Sequence, residues 1–424
     1  MKDKVLERLL RYVSFDTRSD PASDTCPSTA KQLLLLNHLL EEMMMLGLEE
    51  VEIDEYGYVM GTIPPTHPKP AQELSEAGTG AGVGAGAATV GFLAHVDTSP
   101  DMSGANGRPQ VIACYDGGDI ALGTSGYVLS PREFPELSAL KGETLVTTDG
   151  TTLLGADDKA GVAAIMTAAE YLITHPEIPH GRIRIGFTPD EEIGRGVDHF
   201  DLERFGAQVA YTVDGSGAGE LEYENFNAAA VRIAIRGRGI HPGYAKGRMI
   251  NAVEVAWAYH ALLPAGERPE HTEGYEGFFH LTTLRAEVEQ ATMEYIVRDH
   301  SRAKFEERKA AMVSAAAFIN ERYGAGTLTV EIEDQYYNMR ERVEPHPEIV
   351  AKARRAMELA GVVPVVRPIR GGTDGARLSY MGLPCPNLFT GGANFHGRYE
   401  YCSVDTLVQA VQTLVNLAKL WGEG

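Results

Sequence analysis

The sequence predicts an α/β protein in which a larger domain of sheet and flanking helices is interrupted by a smaller α+β domain. Three observations predict it. The chain has 424 residues, past the size at which a single hydrophobic core stops growing, so two domains are expected. Between residues 89 and 215 apolar strand-like runs alternate with a helical run, the pattern of an α/β sheet. From about residue 227 the pattern shifts to strands grouped with two helices, and after about residue 338 the first character returns. The expected boundaries are 1–226 with 338–424 for the larger domain and 227–337 for the inserted one.

Taken in order, residues 1–15 and 29–47 read as helices. The second, "TAKQLLLLNHLLEEMMMLG", stops at Gly47 as helices often do, and its methionine run is expected to pack in the core. Residues 51–63 read as a hairpin. Residues 64–89 pass from proline to a glycine and alanine tract, which reads as a flexible surface insertion. The tract holds a loose GxGxxA match at Gly82, Gly84 and Ala87. A dinucleotide loop needs a strand before the glycines and a helix after them; here a polar segment precedes and the strand 89–97 comes after, so that reading fails. A helix over 158–175 and strands over 182–189 and 208–215 complete the first part. The inserted block reads as a strand (228–237), a helix (251–263), two strands within 278–299, a long helix (302–324) and a strand (327–337). The helix 346–361, the apolar segment 384–392 and a helix from Val404 close the chain.

The charge balance narrows the function. The net charge is −21, from 59 acids against 38 bases, which leaves no basic footprint for nucleic acid or an anionic membrane. The four cysteines, Cys26, Cys114, Cys385 and Cys402, have no CxxC spacing, so neither a thiolate zinc site nor a disulfide framework is expected. The N-terminus is charged and helical in period, unlike a signal peptide, and no run of about 18 uncharged apolar residues could span a membrane. A cytoplasmic enzyme is the expectation.

Five short segments place potential metal ligands just after an apolar strand or at a glycine-rich turn. They are "FLAHVDTSPD" with His95 and Asp97, "LLGADDKAG" with Asp157 and Asp158, "GFTPDEEIGRG" with Asp190, Glu191 and Glu192, "AYTVDGSG" with Asp214, and "GGANFHGRYE" with His396. Each alone has an ordinary explanation: a helix N-cap, an Asp-Gly turn, a solvated acidic run or a structural histidine. Their coincidence carries the weight, because the crevice beyond the carboxyl ends of the strands gathers ligands in open α/β sheets. Two histidines and three carboxylates, without thiolate, suit zinc, cobalt or manganese. Five ligands are too many for one catalytic zinc, but they suit two metals about 3.5–4 Å apart that share a carboxylate. Neighbouring side chains on an extended backbone point to opposite sides. One of Glu191 and Glu192 can therefore ligate while the other serves as a base. Asp97, on the same side as His95, is placed to receive the other ring N–H and orient the imidazole.

Along most of its length, from "YVSFDT" through "HVDTSPD", "LLGADDKAG", "FTPDEEIGRG", "YTVDG", "HPGYAKG", "TEGYEGF", "YIVRD", "YYNMRE", "RGGTDGARLS" and "MGLPCPN" to "NFHGRYE", the chain resembles the M20 family of dinuclear zinc peptidases. "TEGYEGF", "YYNMRE" and "NFHGRYE" together narrow the likeness to its tripeptide-aminopeptidase branch. The resemblance implies a zinc-peptidase catalytic domain, with a mixed sheet flanked by helices, and an inserted domain that mediates dimerisation and closes over the cleft. It implies that His95, Asp157 and Asp214 hold one metal and His396, Asp157 and Glu192 the other, with Asp157 as bridge. Glu191 matches the general base and Asp97 the aspartate behind His95; Asp190 is left to a structural role. His241 in "HPGYAKG" would reach the partner subunit's active site and stabilise the oxyanion, and Arg298 and Arg370 would hold the substrate's carboxylate.

The expected protein is thus a homodimeric aminopeptidase that takes the N-terminal residue from tripeptides with two Zn2+ per subunit, Co2+ or Mn2+ being the other candidate loadings. An M20-type carboxypeptidase or N-acyl amino acid deacylase would use the same metals. A non-catalytic peptide-binding protein would lack the base or a ligand, and none is missing. Serine chemistry has no support, since "GTSG" lacks the GxSxG spacing. The one departure from the family is the length of the insertion at 68–89.

Overall fold

The computed structural model describes residues 1–66 and 88–423. The glycine and alanine tract over 67–87, with its Gly82, Gly84 and Ala87, lies outside the described residues. The chain forms two compact units. The larger comprises Met1–Tyr223, Glu341–Arg367 and Thr373–Gly424; the smaller comprises Glu224–Arg340 and Pro368–Gly372. The segment Pro368–Gly372 thus groups with the smaller unit, although its place in the sequence suggests the larger. Its ties explain why: Arg370 donates to the carbonyls of Gly274 and Glu276, and the Ile369 carbonyl meets His300 Nε2.

The larger unit is built on a mixed eight-stranded sheet. Its spatial order is Glu49–Ile53, Val59–Ile63, Ile183–Thr188, Val90–His95, Val209–Gly215, Asn387–Phe389, Glu220–Glu222 and Val365–Val366. Val90–His95 and Ile183–Thr188 are buried along their whole length, as strands covered on both faces must be, and they run parallel. Val209–Gly215 lies parallel on the other side of Val90–His95. The helix Ala156–Thr174 crosses these strands with Lys2–Tyr12 and Val404–Gly422 beside it. Its alanines, buried on nearly every side, allow that close packing. Gln32–Leu46 ends at Gly47 in the left-handed region, φ +83°, as its sequence predicts. The methionine run behind it divides: Met43 is buried in the core, whereas Met44 and Met45 are exposed. A small antiparallel sheet of Gln110–Ile112, Leu145–Thr147, Tyr401–Ser403 and Gly392–Ala393 was not foreseen.

The smaller unit is a four-stranded antiparallel sheet ordered Phe278–Ala286, Gln290–Asp299, Asn227–Arg236 and Leu328–Tyr336. Alternation along Asn227–Arg236 sets its faces: Val231, Ile233 and Ile235 are buried and Arg232, Ala234 and Arg236 exposed. The buried row joins one core with the helices Ala252–His260 and Arg302–Tyr323. No helix among the described residues is long and apolar enough to cross a membrane.

Candidate metal centre

The three parallel strands deliver their chemistry to one end of the large sheet. His95 is the last residue of its strand, level with Thr188 at the end of the next, and Asp214 lies near the end of the third. This is the carboxyl-end crevice where open α/β sheets collect ligands. Asp157 comes from the turn leading into Ala156–Thr174, where its φ of −83° and ψ of 107° stand off the helix. His396 comes from the loop between Gly392–Ala393 and Tyr401–Ser403, held in the left-handed region at φ +64°.

These residues meet in two adjoining groups, His95 with Asp157 and Asp214, and Asp157 with Glu192 and His396. The donor atoms within each group lie within 4.8 Å of one another. His95 Nε2 is 3.0 Å from Asp157 Oδ1 and 3.6 Å from Asp214 Oδ1. His396 Nε2 is 3.3 Å from the other Asp157 oxygen, Oδ2, and 3.0 Å from Glu192 Oε2. Asp157 therefore turns one oxygen to each histidine. Glu191 belongs to neither group; its Oε2 lies 4.0 Å from His95 Nε2.

The Glu191–Glu192 pair diverges, but not through strand alternation. Asp190 is in the left-handed region at φ +60°, and Glu191–Ile193 forms a short 3-10 turn ending at Gly194. The turn swings the two side chains apart. Asp97 holds this turn: its Oδ1 and Oδ2 accept the backbone N–H of Glu191 at 3.0 Å and of Glu192 at 3.2 Å. His95 Nδ1 lies 3.1 Å from the Asp97 carbonyl and 3.3 Å from its carboxylate. Asp97 thus orients the imidazole mainly through its own backbone and joins His95 to the two glutamates. Asp190 is buried and accepts from Ser28 N at 2.6 Å and Gln32 Nε2 at 2.7 Å, a structural anchor.

The donor set fits cations. Among the described residues the ion pairs of these five side chains run to histidines and acids, with no lysine or arginine. Glu192 Oε1 is buried without a hydrogen-bond partner. Burial pushes Asp214 up to about 6, opposed by the charge of His95. Burial and the charge of Asp157 push Glu192 up to about 7, and burial raises Glu191 well above the carboxylate range. Hydrogen bonds to Asp157 and Glu192 lift His396 to about 11. Burial works to lower His95, yet Asp214, Asp157 and Asp97 together raise it well above its usual value. Asp157, despite burial, is held below the carboxylate range by the two histidines. Buried acids this crowded call for positive charge between them.

Two further carboxylates stand here: Asp158, which the sequence offered beside Asp157 and which lies in neither donor group, and Asp374, which it did not single out. Asp158 accepts the backbone N–H of His95 at 3.3 Å and that of Gly161 at 3.1 Å. Asp374 accepts from Thr188 Oγ1 at 2.8 Å and lines a small pocket with His95, Glu191, Thr212 and Asp214. Its signal was present in "RGGTDGARLS", where attention falls on the arginine.

The remaining sequence candidates lie in the smaller unit. His241 is exposed, and its Nδ1 accepts from Gly243 N at 3.2 Å. Arg298 donates to the carbonyls of Ala229 at 3.2 Å and Val297 at 3.0 Å and to Gln335 at 3.1 Å. Arg370 donates to the Gly274 carbonyl at 2.7 Å, the Glu276 carbonyl at 2.9 Å and Thr272 Oγ1 at 3.0 Å. Both guanidiniums face neutral acceptors.

Known proteins share this architecture and sequence. The solved aminopeptidase PepT of Bacillus cereus superposes with a TM-score of 0.76 at 24% identity, covering 99% of both chains. A dinuclear metal-binding peptidase of the M20 family from Bacillus subtilis gives 0.67 at 15% identity, over all of this chain and 98% of that one. At these identities the likeness speaks for the fold. In sequence, the chain is 54% identical over 422 residues to peptidase T of Geobacillus sp. strain WCH70, 99% of each protein. Residues 147–420 match the model of peptidase family M20/M25/M40. With its site, fold and sequence in agreement over nearly its whole length, the chain belongs to peptidase family M20/M25/M40.

Proposed function

We propose that the protein is a cytoplasmic, homodimeric aminopeptidase that removes the N-terminal residue from tripeptides with two zinc ions per subunit. The observation that carries this reading is the pair of donor groups sharing Asp157, in a chain 54% identical to a peptidase T. His95, Asp157 and Asp214 would hold one ion and Asp157, Glu192 and His396 the other; cobalt or manganese suits the same nitrogen and oxygen donors. Bound there, the ions supply Lewis acidity and draw the pKa of a water toward neutrality.

The chain's own residues do the rest. Glu191, beside the cluster but outside both donor groups, takes the proton of the attacking water and passes it to the leaving amine. Asp97 keeps His95 and the glutamate turn in register. Arg298 and Arg370 receive the substrate's carboxylate, exchanging neutral acceptors for a charged one that binds a guanidinium more strongly. His241 of a second subunit donates a hydrogen bond where negative charge develops on the scissile carbonyl.

The test is an assay of the zinc-loaded protein on a free tripeptide and on its N-acetylated form. The reading expects release of the N-terminal residue from the free peptide alone. Cleavage of the blocked peptide, or release of the C-terminal residue, would favour the deacylase or carboxypeptidase instead. His241→Ala is expected to lower kcat by roughly 10²–10³, about 2.7–4 kcal/mol, with metal content unchanged. Unaltered turnover would reject its role.

A further inference from the structure

Glu400 belongs to neither donor group and is only 1% exposed. Its Oε2 accepts the backbone N–H of Leu154 at 2.7 Å and of Gly155 at 2.8 Å, and its Oε1 accepts that of Asp157 at 3.1 Å. These are the main-chain donors of the turn that presents Asp157. The turn cannot satisfy them itself, because Gly155 sits at φ +80° and Asp157 is off the helix, so the N–H groups have no carbonyl one turn back. Four residues before Glu400 on the same loop is His396. The loop is closed by the Glu400 N–H to the Gly397 carbonyl at 3.2 Å, and Tyr401–Ser403 pairs with Leu145–Thr147 beyond it. One short segment therefore offers His396 and clasps the turn that offers Asp157.

We infer that Glu400 is a positioning residue that fixes Asp157 relative to His396, so that this half of the centre is shaped before a cation arrives. The inference rests on the two-cation reading above. The other half shares Asp157 and would loosen with it, but its histidine is held by different bonds. His95 is tied through its backbone to Asp158 and through its ring to Asp97, neither of which involves Glu400. Loss of Glu400 should consequently fall unevenly on the two positions. Charge-assisted bonds to a carboxylate are about twice as strong as neutral ones, and removing such an outer partner typically costs roughly 10–100-fold in metal affinity.

The experiment strips the full chain with a chelator and titrates it with Co2+ by calorimetry, for the wild type, Glu400→Gln and Leu414→Ala. Glutamine keeps the shape but sets an NH2 group against a main-chain donor. Leu414, buried in the closing helix, controls for a general loss of stability. The wild type is expected to take two equivalents, Glu400→Gln to take both more weakly, the second by the larger margin of roughly 10–100-fold, and Leu414→Ala to match the wild type. Glu400→Gln with two wild-type affinities would overturn the inference alone, as would an equal loss in Leu414→Ala. A wild type that takes fewer than two equivalents would overturn the two-cation reading and this inference with it. Should Glu400→Gln not fold, hydrogen exchange on the metal-free wild type decides. The amides of Leu154, Gly155 and Asp157 are expected to be protected, and rapid exchange there would overturn the inference.

Discussion

Glu191→Gln is expected to retain both metal ions and to lose about 10²–10⁴ in kcat, with little change in KM. The glutamate's side chain lies outside both donor groups, so its replacement leaves His95, Asp157, Glu192, Asp214 and His396 untouched. Its backbone is fixed independently, by the N–H bond to Asp97, so the turn keeps its shape when the carboxylate is gone. Glutamine has the size of glutamate but cannot take up a proton. The loss should therefore appear in the chemical step and not in substrate binding. Steady-state kinetics on a tripeptide together with metal analysis checks this. Wild-type kcat would show that the base lies elsewhere, and loss of a metal ion would show that Glu191 is a ligand.

Asp157→Ala is expected to abolish turnover by loosening both metal ions at once. Each oxygen of this carboxylate faces a different histidine, 3.0 Å to His95 and 3.3 Å to His396, so no other single side chain stands in both groups. Affinity at both positions should fall by more than the roughly 10–100-fold that an outer partner is worth. Metal analysis after dialysis measures it. A variant that keeps one ion at full affinity would show that Asp157 serves one position only.

Much of this centre was legible in the sequence because strand ends are. A run such as "VGFLAH" or "IRIGFT" is apolar enough to mark a buried strand, and the residues at its carboxyl end are delivered to the edge of the sheet where ligands gather. His95, Asp214 and the glutamate pair could be found in this way. His396 was marked by a glycine-rich turn and not by a strand end, since its supporting strands Gly392–Ala393 and Tyr401–Ser403 are 2 and 3 residues long and carry no periodicity.

Glu400 was out of reach for a different reason. Its partners are backbone N–H groups more than 240 residues away, which leave no mark in residue type. The local geometry of the glutamate pair was misread as extended, because Asp190 enters the left-handed region without a glycine to announce it. The bonds of Arg298 and Arg370 to main-chain carbonyls are likewise invisible in sequence, since any residue can supply the carbonyl.

X-ray diffraction at the zinc absorption edge, from crystals of the protein purified without chelators, tests the centre most directly. Two anomalous peaks per chain are predicted, one among His95, Asp157 and Asp214 and the other among Asp157, Glu192 and His396. A single peak, or peaks away from Asp157, would contradict the account.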